Sequence, residues 1–187
     1  MTATPIADVG TLFAVLASSA AQTDNEDVDL LAHGLQCAAI LAETAPADPA
    51  LQVAGLVHDI GTVLWPGRPR THARAGATAV AGLLGERVAW LVGQHDQAKR
   101  YLVTVDPAYQ ARLSSGSVVT LEAQGGVLDA DERARLEAEP WLDDVLTLRR
   151  ADDAAKVPGR QVPGLDHWRP VVEQVHVLAS TTHEIGG

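Results

Sequence analysis

The heptapeptide GLVHDIG (residues 55–61) sets His58 and Asp59 side by side at the end of an apolar run. Neighbouring residues on a helix point about 100° apart, so such a pair can grip one metal ion or bridge two. Chance produces a lone His-Asp often, and the pair gains force only from other donors at workable places. His33 stands among Leu30, Leu31 and Leu35, His72 opens a helix after a loop, and His95 closes the stretch AWLVGQHDQ. Asp152 lies in an amphipathic segment beside Arg149, Arg150 and Asp153. An imidazole or carboxylate on an apolar helix face is costly to bury unless it is paired, hydrogen-bonded or bound to a metal. Taken singly, each of these residues reads most simply as a satisfied core or capping group. Four histidines and two acids of this kind together favour a metal centre. Imidazole with carboxylate suits iron, manganese or zinc, and a chain whose one cysteine is Cys37 cannot build a thiolate cluster. Cys37, one turn after His33, reads as a small core filler. His167, His176 and His183 fall in the final segment and read as structural or exposed.

The elements that must position these donors are helices. Hydrophobic residues make up 47% of the 187 but aromatics only 4%, which leaves alanine, leucine and valine to build the core, as packed helices do. Alternation of period two is lacking, so the expectation is an all-α chain forming one domain over residues 1–187. The pattern predicts helices over 6–21, 28–45 and from Asp48–Pro49 straight through GLVHDIG, with TDNED (23–27) as a capping loop and a further loop at 65–70. Helices over 72–84 and 86–97 are separated by Gly85, and shorter ones follow at 106–113, 117–126 and 129–139. A strong helix at 141–157, a loop at 158–164 and a closing helix at 168–180 complete the reading. The net charge of −10 argues against nucleic acid or an anionic membrane as partner, both of which need a basic face. No apolar run reaches the roughly 20 residues that span a bilayer, and the N-terminus lacks the basic stretch of a signal peptide, so the expected location is cytoplasmic.

In chain order the donors run His33, His58–Asp59, His72, His95, Asp152. This resembles the HD-domain superfamily, marked by a histidine, a His-Asp pair and a late aspartate on a helical bundle; the two added histidines imply its binuclear form. The segments HGLQCA (33–38), GLVHDIG (55–61), HDQAKRYL (95–102), DPAYQARLS (106–114) and LRRADDAAKVPG (148–159) look like the phosphonate-degradation branch of the mixed-valent diiron oxygenases, relatives of myo-inositol oxygenase. The resemblance covers about residues 23–159, the expected metal-binding core. It implies an oxidoreductase that uses two iron ions, Fe(II)/Fe(III), and O2. Its substrate would be a short hydroxylated organophosphonate of the 2-amino-1-hydroxyethylphosphonate kind, whose C–P bond is cleaved to release phosphate.

Carried over position by position, the resemblance implies one iron on His33, His58 and Asp152 and a second on His72 and His95, with Asp59 bridging and acting in catalysis. A single carboxylate has two oxygens with which to join two cations. Asp152 is preferred to Asp153 by its spacing to Lys156. Lys99, one turn after His95, is implied as a catalytic and substrate-binding cation. Ser117 and Arg149 are implied at the phosphonate, and Glu26 at the end of the substrate bearing an amine. Charge-assisted bonds from lysine and arginine suit a phosphonate dianion. The chain departs from the family at Thr23, where a tyrosine is usual, and at Thr62, where a histidine is usual. The competing expectation is a metal-dependent phosphohydrolase, the commonest HD activity, acting on a small phosphate ester or nucleotide; a third is a binding domain without catalysis.

Overall fold

Six helices begin where a short polar side chain accepts a backbone N–H that the first turn leaves without a partner. Asp8 caps α1 (Val9–Ser18), Asp29 caps α2 (Leu30–Thr44) and Asp48 caps α3 (Pro49–Val57). Asp106 caps the single turn α6 (Pro107–Gln110), Ser114 caps α7 (Ser115–Ala123) and Asp129 caps α8 (Ala130–Glu137) in a reciprocal box with Glu132. Between them lie α4 (Ile60–Leu64) and α5 (His72–Val105); α9 (Leu142–Ala154) and α10 (Arg169–Ile185) follow. These elements come from a computed structural model that describes residues 4–23, 28–68 and 70–185, with side chains described as far as Thr181. Apart from one antiparallel bridge between Thr23 and Asp29, the described residues contain no β-structure, and the fold is all-α.

Most expected boundaries hold to within a few residues, but two elements differ in kind. The third helix does not run through GLVHDIG. It stops at Val57, Asp59 takes φ −95° and ψ 10°, and a fresh helix starts at Ile60. Tertiary packing forces the break, because α4 lies directly on the start of α5. A Cβ on Gly61 would come within 1.9 Å of the His72 carbonyl oxygen, so only glycine allows the approach.

The second difference is α5. Its first and second arms meet at Gly85, as expected, but without an intervening loop: Gly85 alone leaves the helical region, at φ 83° and ψ 172°. A straight helix would separate His72 from His95 by roughly 34 Å, yet their Nε2 atoms are 3.0 Å apart. The chain therefore doubles back at one residue into a helical hairpin, and its second arm continues to Val105 rather than 97. This is the one described helix with the length and apolarity to cross a bilayer. Half of its apolar window is buried in the protein, and it carries the buried polar residues His72, His95, Lys99 and Arg100, which mark it as a core element.

The core runs through all the long helices, with Leu12, Leu41, Val53, Leu83, Leu91, Leu148 and Trp168 almost wholly shielded from solvent. Cys37 is buried among them as expected. Arg87 fastens three elements at one end of the bundle. Its guanidinium gives a two-pronged pair to Asp48, at 2.8 and 2.5 Å, and a further bond of 2.8 Å to Asp144. The beginnings of α3 and α9 are thereby tied to the second arm of α5. At the other side, α2, the α3–α4 break, both arms of α5 and α9 converge on one polar point inside an otherwise apolar bundle.

Candidate metal centre

That point holds two groups of donors. In the first, His33 Nε2 lies 3.1 Å from His58 Nε2 and 3.2 Å from Asp152 Oδ1, and His58 Nε2 is 3.8 Å from the same oxygen. In the second, His72 Nε2 is 3.0 Å from His95 Nε2, and the two stand 3.2 and 3.6 Å from Asp59 Oδ1. Asp59 turns its other oxygen to the first group, with Oδ2 3.5 Å from His58 and 3.8 Å from His33. One carboxylate thus faces both groups. The break between α3 and α4 makes this possible, since it aims Asp59 away from the direction a continuous helix would give it.

The hydrogen bonds behind the rings decide what the facing nitrogens can do. Nδ1 of His33 donates to the Ala155 carbonyl at 3.2 Å, that of His58 to Gly55 at 2.8 Å and that of His95 to Val92 at 2.7 Å. A carbonyl only accepts, so Nδ1 carries a proton and Nε2 is the nitrogen left to bind an ion. In the first group two such nitrogens face each other at 3.1 Å, and in the second His95 Nε2 faces His72 Nε2 at 3.0 Å, with carboxylate oxygens beside them. The arrangement repels itself unless a cation lies between, and imidazole backed by a carbonyl is the usual form of a metal ligand. His72 turns Nδ1 toward the Asp96 carboxylate, whose Oδ2 is 3.7 Å away.

Titration follows the same logic. Burial, moderated by the Asp96 charge, drives His95 down to about 4, so the ring stays neutral and ligand-competent at ordinary pH. Burial opposes ionisation of Asp59, but His58, His72 and His95 overcome it and hold the carboxyl well below its usual range. Asp152 is likewise ionised against burial by Arg149, His58 and His33. His33 is raised: burial pulls it down, but the hydrogen bond and charge of Asp152, with Asp59, pull harder. The carboxylates ask for positive charge at this spot, and a metal ion would supply it without a proton.

Beside the donors opens a cavity of about 440 Å³. Lys99, Ser117, Arg149 and Asp152 line it together with His33, Asp59, His72 and His95, so the structure gathers nearly all the expected residues at one place. Lys99 is 2% exposed, and the one hydrogen-bond acceptor it meets among the described residues is Thr120 Oγ1, at 2.7 Å. Burial, helped by Arg149 and opposed by Asp96 and Asp152, lowers it to about 8. The guanidinium of Arg149 is more occupied than the sequence suggested. It bonds Asp152 Oδ2 at 2.6 Å, Tyr109 Oη at 3.0 Å and both oxygens of Asp153, and reaches Ser117 Oγ at 3.4 Å. Asp152 and not Asp153 faces the histidines. Thr23 and Thr62 lie in the cavity wall, and Glu26 falls outside the described residues. His176 is a structural residue, bonded to the Leu83 carbonyl at 2.9 Å, and His167 stacks edge-on against Trp168; the His183 side chain lies outside the described residues.

Among the cavity residues that sequence reasoning passed over are Lys156, Asp96 and Gln124. Lys156, used only as a spacing marker, donates to Ser117 Oγ at 3.0 Å and stands 3.9 Å from Asp152 Oδ1. Its position one turn after Asp152 was a usable signal. Asp96, in a second His-Asp pair, is 7% exposed and accepts from the Gln124 amide, which also lines the cavity. Nothing in the one-dimensional pattern marks Gln124.

An all-α bundle that gathers two histidine–carboxylate groups around one shared aspartate defines a metal-dependent helical enzyme. Residues 30–154 match the HD-domain family. The chain is 35% identical over 179 residues to hydroxymethylphosphonate dioxygenase of Gimesia maris, covering 91% of this chain and 89% of that protein. It is 32% identical over 158 residues to the glycine-betaine-forming [1-hydroxy-2-(trimethylamino)ethyl]phosphonate dioxygenase of Leisingera caerulea, covering 80% of each. The chain belongs to the HD-domain family, in its phosphonate-degradation oxygenase branch.

Proposed function

We propose that the protein is an O2-dependent oxygenase that cleaves the C–P bond of a short 1-hydroxyalkylphosphonate, using two iron ions. The observation that carries this reading is the juxtaposition of the Asp59-linked donor groups with a cavity whose lining includes the cations Lys99, Arg149 and Lys156. His33, His58 and Asp152 would hold one iron, His72 and His95 the other, and Asp59 both. When bound, such a pair supplies the activation of O2 and the polarisation of the substrate hydroxyl.

The chain's own residues orient and enclose. A dianion entering the cavity meets the Lys99 ammonium, held in place by Thr120, and the Ser117 hydroxyl, to which Lys156 and Arg149 both point. Phosphonate oxygens are strong acceptors for such donors, and in a shielded site each bond is stronger than in water. Anchoring the phosphonate there fixes the adjacent carbinol carbon toward the donor groups. The overall change balances without an added reductant: R–CH(OH)–PO3H2 and O2 give R–COOH and H3PO4, one oxygen atom going to carbon and one to phosphorus. Hydroxymethylphosphonate and 1-hydroxyphosphonates with an amino or trimethylammonio tail are the substrates to offer, since the relatives named above act on the first and third of these. The expected result for iron-loaded protein is phosphate release that requires O2. Equal release from a phosphate ester without O2 would overturn the oxygenase reading in favour of a hydrolase.

A further inference from the structure

Asp152 must present an oxygen to His33 and His58 while lying against a buried guanidinium that could take both of its oxygens. A planar guanidinium pairs most strongly with a carboxylate through two parallel bonds. Arg149 makes that two-pronged pair with Asp153, through Nε and Nη2, and gives Asp152 Oδ2 only one bond, from Nη1. Tyr109 completes the arrangement: its hydroxyl donates to Asp153 Oδ2 at 2.5 Å and accepts from Arg149 Nε at 3.0 Å. Asp152 Oδ1 is left 3.2 Å from His33 Nε2. Burial, opposed by Arg149 and reinforced by Asp153, keeps the phenol above its ordinary value, so it stays an O–H donor.

We infer that Asp153 and Tyr109 are positioning residues of the metal centre: by occupying one edge of the Arg149 guanidinium they prevent Arg149 from chelating Asp152, and so reserve Oδ1 of Asp152 for the metal. The paired aspartates of ADDAA thus have opposed tasks, one as ligand and one as decoy for the arginine. This inference rests on the metal-centre reading above. It differs from a merely structural role in its sign with respect to Arg149, because removing the arginine relieves the defect that loss of Asp153 creates.

The test is anaerobic Fe(II) titration against a ferrous chelator, with folding checked by circular dichroism. A His95→Ala variant identifies the phase that belongs to His33, His58 and Asp152. Wild type is expected to bind two equivalents. Asp153→Asn should weaken the first group by about 10- to 100-fold, the range seen when partners behind a metal ligand are lost, and leave the second group in place. Tyr109→Phe should shift it the same way by less. Adding Arg149→Gln to Asp153→Asn should restore most of the affinity. Unchanged binding in Asp153→Asn, equal weakening of both groups, or a double variant no better than the single one would each overturn the inference while leaving the functional reading intact. If Asp153→Asn does not fold, Tyr109→Phe with and without Arg149→Gln makes the same comparison. Failure of wild type to bind any iron would overturn both readings.

Discussion

Replacing Lys99 by methionine should make the metal-free protein more stable at pH 7 while depriving it of phosphonate affinity. The side chain is buried, and its ammonium meets a single hydroxyl where water would offer several partners. Its pKa falls from 10.5 to about 8. At about 1.4 kcal/mol per unit this corresponds to roughly 3 kcal/mol of strain in holding the charged form folded. The sign follows from proton binding. Between pH 8 and 10.5 the unfolded chain holds a proton that the folded chain has released, so stability rises through that window. Below about 8 both states are protonated and the folded state carries the full cost. Methionine has a similar length and no charge, so it removes that cost at neutral pH. For a chain of this size the gain corresponds to a rise in Tm of about 6–12 °C. The assay is thermal denaturation of chelator-treated wild type and Lys99→Met at pH 7 and again at pH 10, where the difference should shrink. A Tm that falls in the variant at pH 7, or a difference that grows with pH, would show that the ammonium is comfortably solvated and refute the reasoning. Such a trade between stability and function is what a preorganised anion site requires.

The remaining expectations are quickly checked. Asp59→Ala should lose both metal ions by elemental analysis, because it faces both groups, whereas His176→Ala should keep them and lose about 1 kcal/mol of stability with its bond to Leu83. The kcat/KM for a phosphonate should fall as pH rises above about 8, where free Lys99 loses its proton, and Lys99→Arg should carry that limb to higher pH. Gly85→Ala should cost about 1–3 kcal/mol in chemical denaturation, since the position has φ 83° and an added Cβ meets Ala179 at 3.0 Å.

Much of this molecule was legible in one dimension because its signals are local. Aspartates before apolar runs mark the helix starts, Gly85 marks the turn of the hairpin, and the ligands fall in an order that resembles the family. What escaped depends on contacts between distant segments. The break at His58–Asp59 was invisible because the apolar pattern passes straight through it; the cause is Gly61 lying against the His72 carbonyl. Arg149 was read through its registration with Asp152, but the identity of its partners is set by Tyr109, forty residues away in the chain, and by Asp153. Lys156 and Asp96 gain their places only once α9 docks and the hairpin closes.

The hairpin also divides the centre unequally along the chain. Asp59, His72 and His95 span 95 − 59 = 36 residues, whereas His33 and Asp152 are 152 − 33 = 119 apart. Closing the longer loop costs about 1 kcal/mol more chain entropy than closing the shorter one. An ion in the second group would therefore be a local fastening of two neighbouring segments. An ion in the first would join the opening and closing thirds of the chain, and its binding would offset more of the chain entropy lost on folding.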